Sequence, residues 1–125
     1  MSASSETDTY FSTSSLLTSE WLIVKDDADG NCALSTAATD KILGAVQDTG
    51  KGANTVVGIG SIPGKEYKVK LGGTVQSGVL LTADAASKAV ATTTDGDVIF
   101  GRAREDGVVN DVIRYMCTIG RTYVA

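Results

Sequence analysis

Asp40-Lys41-Ile42-Leu43-Gly44 returns 57 residues later as Asp97-Val98-Ile99-Phe100-Gly101, and reading this pair as two copies of one strand settles how the rest of the chain is read. Working outward, Asn54-Thr55-Val56-Val57 matches Asn110-Asp111-Val112-Ile113. Ser61-Ile62-Pro63-Gly64-Lys65-Glu66-Tyr67 matches, one residue shorter, Thr118-Ile119-Gly120-Arg121-Thr122-Tyr123. Upstream, Leu22-Ile23-Val24 matches Leu80-Leu81-Thr82. The spacing stays between 56 and 58 residues along the whole series. Single-residue slips between matched apolar runs are what turns of unequal length produce while strands keep their register. The chain therefore reads as an internal duplication, with one strand-rich unit over 19–67 and its copy over 76–123. Units this short cannot each bury a core alone, so the two are expected to close on each other, about a pseudo-twofold axis, as a single domain over 19–125.

Composition agrees. Of 125 residues, one is Pro and fourteen are Gly, aromatics make up 6%, and small and β-branched residues dominate, which suits short strands joined by tight turns. Glu66-Tyr67-Lys68-Val69-Lys70-Leu71 alternates cleanly, with Tyr67, Val69 and Leu71 on one face. Glu20–Lys25, Ile42–Val46, Thr55–Ile59, Val98–Phe100, Val112–Cys117 and the terminal Arg121–Val124 read as further strands. Asp26-Asp27-Ala28-Asp29-Gly30-Asn31 reads as a turn. The Ala-rich pieces Ala33–Lys41 and Thr82–Ala91 are the places where a turn or two of helix is expected. The fold class is all-β, a small barrel or sandwich built from two similar halves.

Residues 1–18 stand apart. Ser2-Ala3-Ser4-Ser5-Glu6-Thr7-Asp8-Thr9 is polar and low in complexity, followed by Tyr10-Phe11 and then Ser12-Thr13-Ser14-Ser15. Too little apolar surface is present to offset the entropy of ordering, so 1–18 reads as a flexible N-terminal arm. Extended, it reaches up to about 60 Å, against a radius of gyration near ~14 Å for a chain of this size. Tyr10 and Phe11 are its candidate partner-binding residues, with the backbone free to add to a sheet edge.

Several chemistries are disfavoured by the residues. The net charge is −4 and the basic residues are scattered, so no nucleic-acid partner is expected. No apolar run approaches a membrane span and no signal peptide is evident, so no membrane partner is expected either. Histidine is absent and the two cysteines, Cys32 and Cys117, form no C-x-x-C, which removes the familiar zinc sets and the Ser-His pair. The cysteines are expected as free buried thiols. The Asp26–Asn31 run resembles the start of a calcium loop but lacks a distal glutamate, and is read as a hairpin turn. Neither a P-loop nor a helix to follow one is present. The expectation is no metal, no cofactor and no catalytic residue, hence no enzyme. Trp21, in an apolar run, is expected in the core.

The stretch Tyr67 to Arg104 resembles the head-decoration, or capsid-cement, proteins of tailed bacteriophages. The likeness is carried by Tyr67-Lys68-Val69-Lys70-Leu71-Gly72-Gly73-Thr74-Val75, Gln76-Ser77-Gly78-Val79-Leu80-Leu81-Thr82 and Ile99-Phe100-Gly101-Arg102-Ala103-Arg104, with Gly73, Gly78, Gly101 and Ala103 at matching places. Ile42-Leu43-Gly44-Ala45-Val46 echoes it in the first half. The resemblance implies a structural virion protein, assembled in the host cytoplasm and located on the capsid exterior. It would bind the major capsid protein, associate with itself as a trimer or dimer, and cement neighbouring capsid subunits against internal DNA pressure. The alternatives are a low-copy tail, fibre or vertex protein, and a ligand- or glycan-binding β module.

Overall fold

A computed structural model describes residues 7–13, 15–16, 19–27, 30–48, 52–94 and 96–121. They form ten strands: β1 (Asp8–Ser12), β2 (Ile23–Asp26), β3 (Cys32–Leu34), β4 (Ile42–Ala45), β5 (Thr55–Ile59), β6 (Glu66–Lys70), β7 (Leu80–Ala83), β8 (Ala89–Ala91), β9 (Val98–Ala103) and β10 (Val112–Arg121). Among the described residues there is no helix, so the class is all-β.

The second five strands make one antiparallel sheet in the order β6-β10-β9-β7-β8. The first five take the corresponding order, split in two: β1 pairs with β5, β3-β2-β4 form a three-stranded sheet, and a bridge between Val46 and Ile59 joins the pieces. Each strand of the second set starts 56–58 residues after its counterpart in the first. The turns correspond as well. Trp21 and Gly78 both have positive φ (70° and 95°), and donate to the carbonyls of Val46 and Ala103 at 2.9 and 2.8 Å. Gln47 and Arg104 donate to Gly58 and Arg114 at 2.9 and 3.0 Å. Asn54 and Asn110 share a left-handed conformation, φ 58° and 72°. In the β2–β3 and β7–β8 turns, the Asp27 and Asp84 Oδ1 atoms each accept the amide four residues on, from Asn31 and Lys88, both at 3.0 Å.

Matched strand for strand, the halves run 8–59 and 66–121, not 19–67 and 76–123. The difference comes from the N-terminal segment. The stretch read as a flexible arm contains β1, which pairs residue for residue with β5 from Asp8↔Ile59 to Ser12↔Thr55 and is the counterpart of β6. Thr9, Tyr10 and Phe11 are good strand formers, and the edge of β5 supplies the backbone partners that no segment has in isolation. Residues 1–6, 14, 17 and 18 of that stretch, and the terminal-strand residues 122–125, lie outside those described.

The sheet of the first half splits where the chain must leave for the second. β5 stops at Ile59, and the turn Ile62–Lys65, closed by an N–H from Lys65 to the Ile62 carbonyl at 3.2 Å, leads into β6. β10 runs ten residues and follows β9 through a bulge between Cys117 and Gly120.

The Ala-rich pieces expected to be helical are hairpins. Asp84 ends β7 by accepting the amides of Ala86 (2.8 Å) and Lys88 with one oxygen, and Ser87 then takes φ 65°. Such local side-chain bonding competes with helix formation. In the β3–β4 turn, Asp40 Oδ2 plays the matching part, accepting from the Thr36 amide (3.0 Å), the Ala37 amide (3.1 Å) and the Ser35 hydroxyl (3.2 Å). Burial raises the Asp40 pKa, but these bonds and Lys25 at 3.8 Å outweigh it and hold the carboxyl below its ordinary value.

The main core is shared between halves. Ile23 and Ala45 pack with Tyr67, Val69, Leu71, Leu81, Phe100, Ile113 and Tyr115, all buried. Tyr115 is its centre: fully enclosed, with Phe100 edge-on at 5.0 Å and Tyr67 tilted at 5.9 Å. Its hydroxyl donates to the Gly60 carbonyl at 2.7 Å and accepts the Ala45 amide at 3.1 Å, so a side chain of the second half completes the backbone bonding of the first. Room for the ring requires missing side chains. A Cβ on Gly101 would lie 2.5 Å from the Tyr115 ring, and one on Gly60 2.6 Å from its hydroxyl oxygen. A smaller cluster of Leu16, Val24, Cys32, Val46, Val57 and Ile59 lies within the first half. Cys32 and Cys117 are free, buried, and in different clusters. Burial pushes both thiols up, Cys117 to about 11.

Candidate interaction surface

The period of two in a strand sends Tyr10 and Phe11 to opposite faces of β1. Tyr10 packs on the smaller core cluster, half-buried, and burial together with the Asp8 and Asp26 charges pushes its hydroxyl pKa up. Phe11 points outward, 41% exposed, directly across from Val56 on β5, itself 52% exposed. The two residues singled out in the sequence are therefore not one anchor. Phe11 and Val56 make the outward apolar pair, and Tyr10 belongs to the core side. Val56 was hard to find because Val56-Val57 is an apolar doublet in which the sequence does not say which member faces out. Its counterpart in the second half, Val112, is also outward at 40% exposure, beside Val108 and Val109 of the β9–β10 turn.

The outer edge of β1 follows from the bonds of its partner. The amide of Gly58 is taken by Asp48 Oδ2 at 2.6 Å and its carbonyl by the Gln47 amide, so Gly58 turns both backbone groups away from β1. Thr9, opposite Gly58, and Phe11, opposite Val56, consequently direct their own N–H and C=O groups to the outer side. Among the described residues no backbone group bonds to that side.

The equivalent edge of β6 is covered. The Lys70 amide donates to the Trp21 carbonyl at 2.9 Å, and the Gln47 side chain brackets Lys68, accepting its amide at 3.2 Å and donating to its carbonyl at 2.8 Å. The first half thus caps the edge of the second. A twofold axis between the halves would repeat this contact at β1, and among the described residues it is not repeated. Trp21 takes part through its backbone. It sits in a left-handed turn two residues before β2, half-buried, with the Lys68 ammonium 5.9 Å from its ring, and not in the core as its apolar neighbours suggested.

Between these contacts lies an open cleft of about 420 Å³, lined by Trp21, Gln47, Asp48, Glu66, Lys68 and Arg114 among others. Two of its charged residues are ion-paired: Glu66 with Arg104 (3.3 Å) and Arg114 (3.6 Å), and Arg114 also with Glu105 (3.2 Å). The Arg114 amide and guanidinium hold the Glu105 carboxyl below its ordinary value. In the Asp26–Asn31 run, the described Asp27 carboxylate is engaged by the Asn31 amide, and among the described residues no group of three or more His, Cys, Asp or Glu is placed to hold a metal ion. Residues 28 and 29 of that run lie outside those described.

No family model and no curated protein matches this sequence. Among solved structures, it is similar to the crystal structure of the head fiber gp8.5 N base in bacteriophage phi29, at 22% identity and a TM-score of 0.61. What the two share is the fold. The correspondence covers 94% of this chain and 98% of the other, so it takes in both halves.

Proposed function

We propose that this chain is a structural component of a bacteriophage virion, located on the capsid exterior, where it binds the major capsid protein, associates with itself, and acts through contact area, not catalysis. The observation that carries this reading is the fold correspondence, nearly end to end on both chains, with the base of a phage head fiber. The outward pair Phe11 and Val56, and Val108, Val109 and Val112 on the other half, are the surfaces suited to such contacts. The accessible surface is 6260 Å². A standard interface takes about 800 Å² per partner, so the chain can engage a few neighbours at once.

Two placements share this reading. As a cement, the protein occupies many equivalent capsid sites and holds neighbouring subunits against internal DNA pressure, gaining avidity from repetition. As the base of a fibre, or at a tail or vertex, it sits at few sites, and the head-fiber likeness favours this placement equally. A glycan-binding module would be expected to display several aromatic rings on one face, whereas among the described residues Phe11 is the one exposed aromatic and Trp21 is half-buried against Lys68. The experiment is the copy number of this chain relative to the major capsid protein in purified particles. A ratio near one supports the cement, a handful of copies supports a fibre or vertex, and absence from the particle overturns the reading.

A further inference from the structure

We propose that copies of this chain join head to tail, the outer edge of β1 in one copy docking on the Gly78–Arg104 face of the next. The inference rests on the self-association in the reading above and names the surfaces that make it.

The duplication supplies the argument. One contact between halves is already made inside the chain, where the Trp21 carbonyl and the Gln47 side chain close the edge of β6 at Lys70 and Lys68. Both sides of that contact have a counterpart. Matched through their partners on β5 and β10, Thr9 and Phe11 stand where Lys68 and Lys70 stand. Matched through their turn bonds, Gly78 and Arg104 stand where Trp21 and Gln47 stand. Within one chain neither counterpart meets the other. The β1 edge leaves outward amides and carbonyls with no backbone partner among the described residues, an arrangement that pairs readily with another chain. A Cβ on Gly78 would meet nothing within 4 Å, so a neighbouring backbone can approach there; its carbonyl accepts Arg102 Nη1 at 2.8 Å and keeps a second lone pair, and the exposed Arg104 meets Glu66 at 3.3 Å through Nε alone.

Docked in the same geometry, the Phe11 amide donates to the Gly78 carbonyl of the next copy, sharing that oxygen with Arg102, and the terminal N–H groups of Arg104, whose Nε faces Glu66, donate to the Thr9 carbonyl. Asp8 starts β1, and the receiving face carries Arg102 together with Arg104, the latter shared with Glu66. The contact joins two different surfaces, so each copy has one of each to offer and the assembly closes as a ring when the rotation per copy divides a full turn.

Two surfaces give a complementation test. In Phe11→Pro the outward amide is gone, a change that edge strands tolerate. In the double variant Arg102→Glu, Arg104→Glu the receiving face repels Asp8 and loses its donors. Native mass spectrometry and light scattering are expected to give an oligomer for the unaltered chain and a monomer for each variant alone. An equimolar mixture should give a 1:1 dimer, because one good surface survives on each partner. Circular dichroism checks the fold. Phe11→Lys, which keeps the amide but places a charge in the contact, substitutes for a proline variant that fails to fold. An oligomer that persists in the variants overturns this interface and leaves self-association standing. A monomeric unaltered chain overturns both, while a virion role is judged separately by the copy number in particles.

Discussion

Replacing Tyr115 by Phe removes one oxygen and tests whether the two halves are held by a polar joint. That oxygen donates to the Gly60 carbonyl at 2.7 Å and accepts from the Ala45 amide at 3.1 Å, in a site with no solvent exposure. Phenylalanine keeps the ring, its edge-on contact with Phe100 and almost all of its volume, so the change isolates the two hydrogen bonds. Each buried group left without a partner costs about 1–3 kcal/mol. With some relaxation the expected loss is about 2–4 kcal/mol. For a chain of this length that is roughly 8–15 °C in Tm. Urea unfolding should show a lower midpoint with an unchanged slope, since the surface exposed on unfolding stays the same. Hydrogen exchange adds a local readout, because the Ala45 amide should lose protection more than its strand neighbours. A melting temperature within 2 °C of the parent, or an Ala45 amide exchanging as before, would refute the reasoning (the threshold being well below the roughly 8 °C expected).

Two further outcomes follow from the same accounting of buried groups. Cys32 and Cys117 are buried and their thiols are pushed up by that burial, so a thiol reagent at neutral pH should modify neither in the native protein and both after unfolding; rapid native labelling of either would contradict the packing. Asp40 titrates lower in the folded chain than in the unfolded one, so its stabilising effect is present above the unfolded carboxylate pKa and is lost as pH falls through the lowered folded value. Asp40→Asn should therefore lower stability at neutral pH and flatten the loss of stability on acidification, as read by denaturant titrations across the acid range.

The strands of the second half were legible because alternation and flanking glycines agree there. Tyr67, Val69 and Leu71 are buried as the pattern says, while Lys68 faces out. The duplication was legible from matched apolar runs, yet its boundaries were not. β1 shares no apolar run with β6, since Tyr10 stands where Val69 does and Phe11 where Lys70 does, and only pairing with β5 makes Asp8–Ser12 a strand. Trp21 misled for a related reason: its neighbours are apolar, but positive φ turns it out of the strand, and nothing local in Glu20-Trp21-Leu22 announces a left-handed residue. The surface was half legible. An exposed Phe11 follows from period two once β1 is known, whereas its neighbour Val56 depends on a register set from outside the segment.

A chain that carries the same turn twice holds its own control experiment. Asp27 and Asp84 each accept the amide four residues on at the same distance, and Asn54 and Asn110 bend the backbone the same way, each pair in different company. One substitution made at both members of a pair, separately, measures a shared requirement and a private one at once. Equal losses belong to the turn itself, and the remainder belongs to what each copy has acquired since the two began to differ.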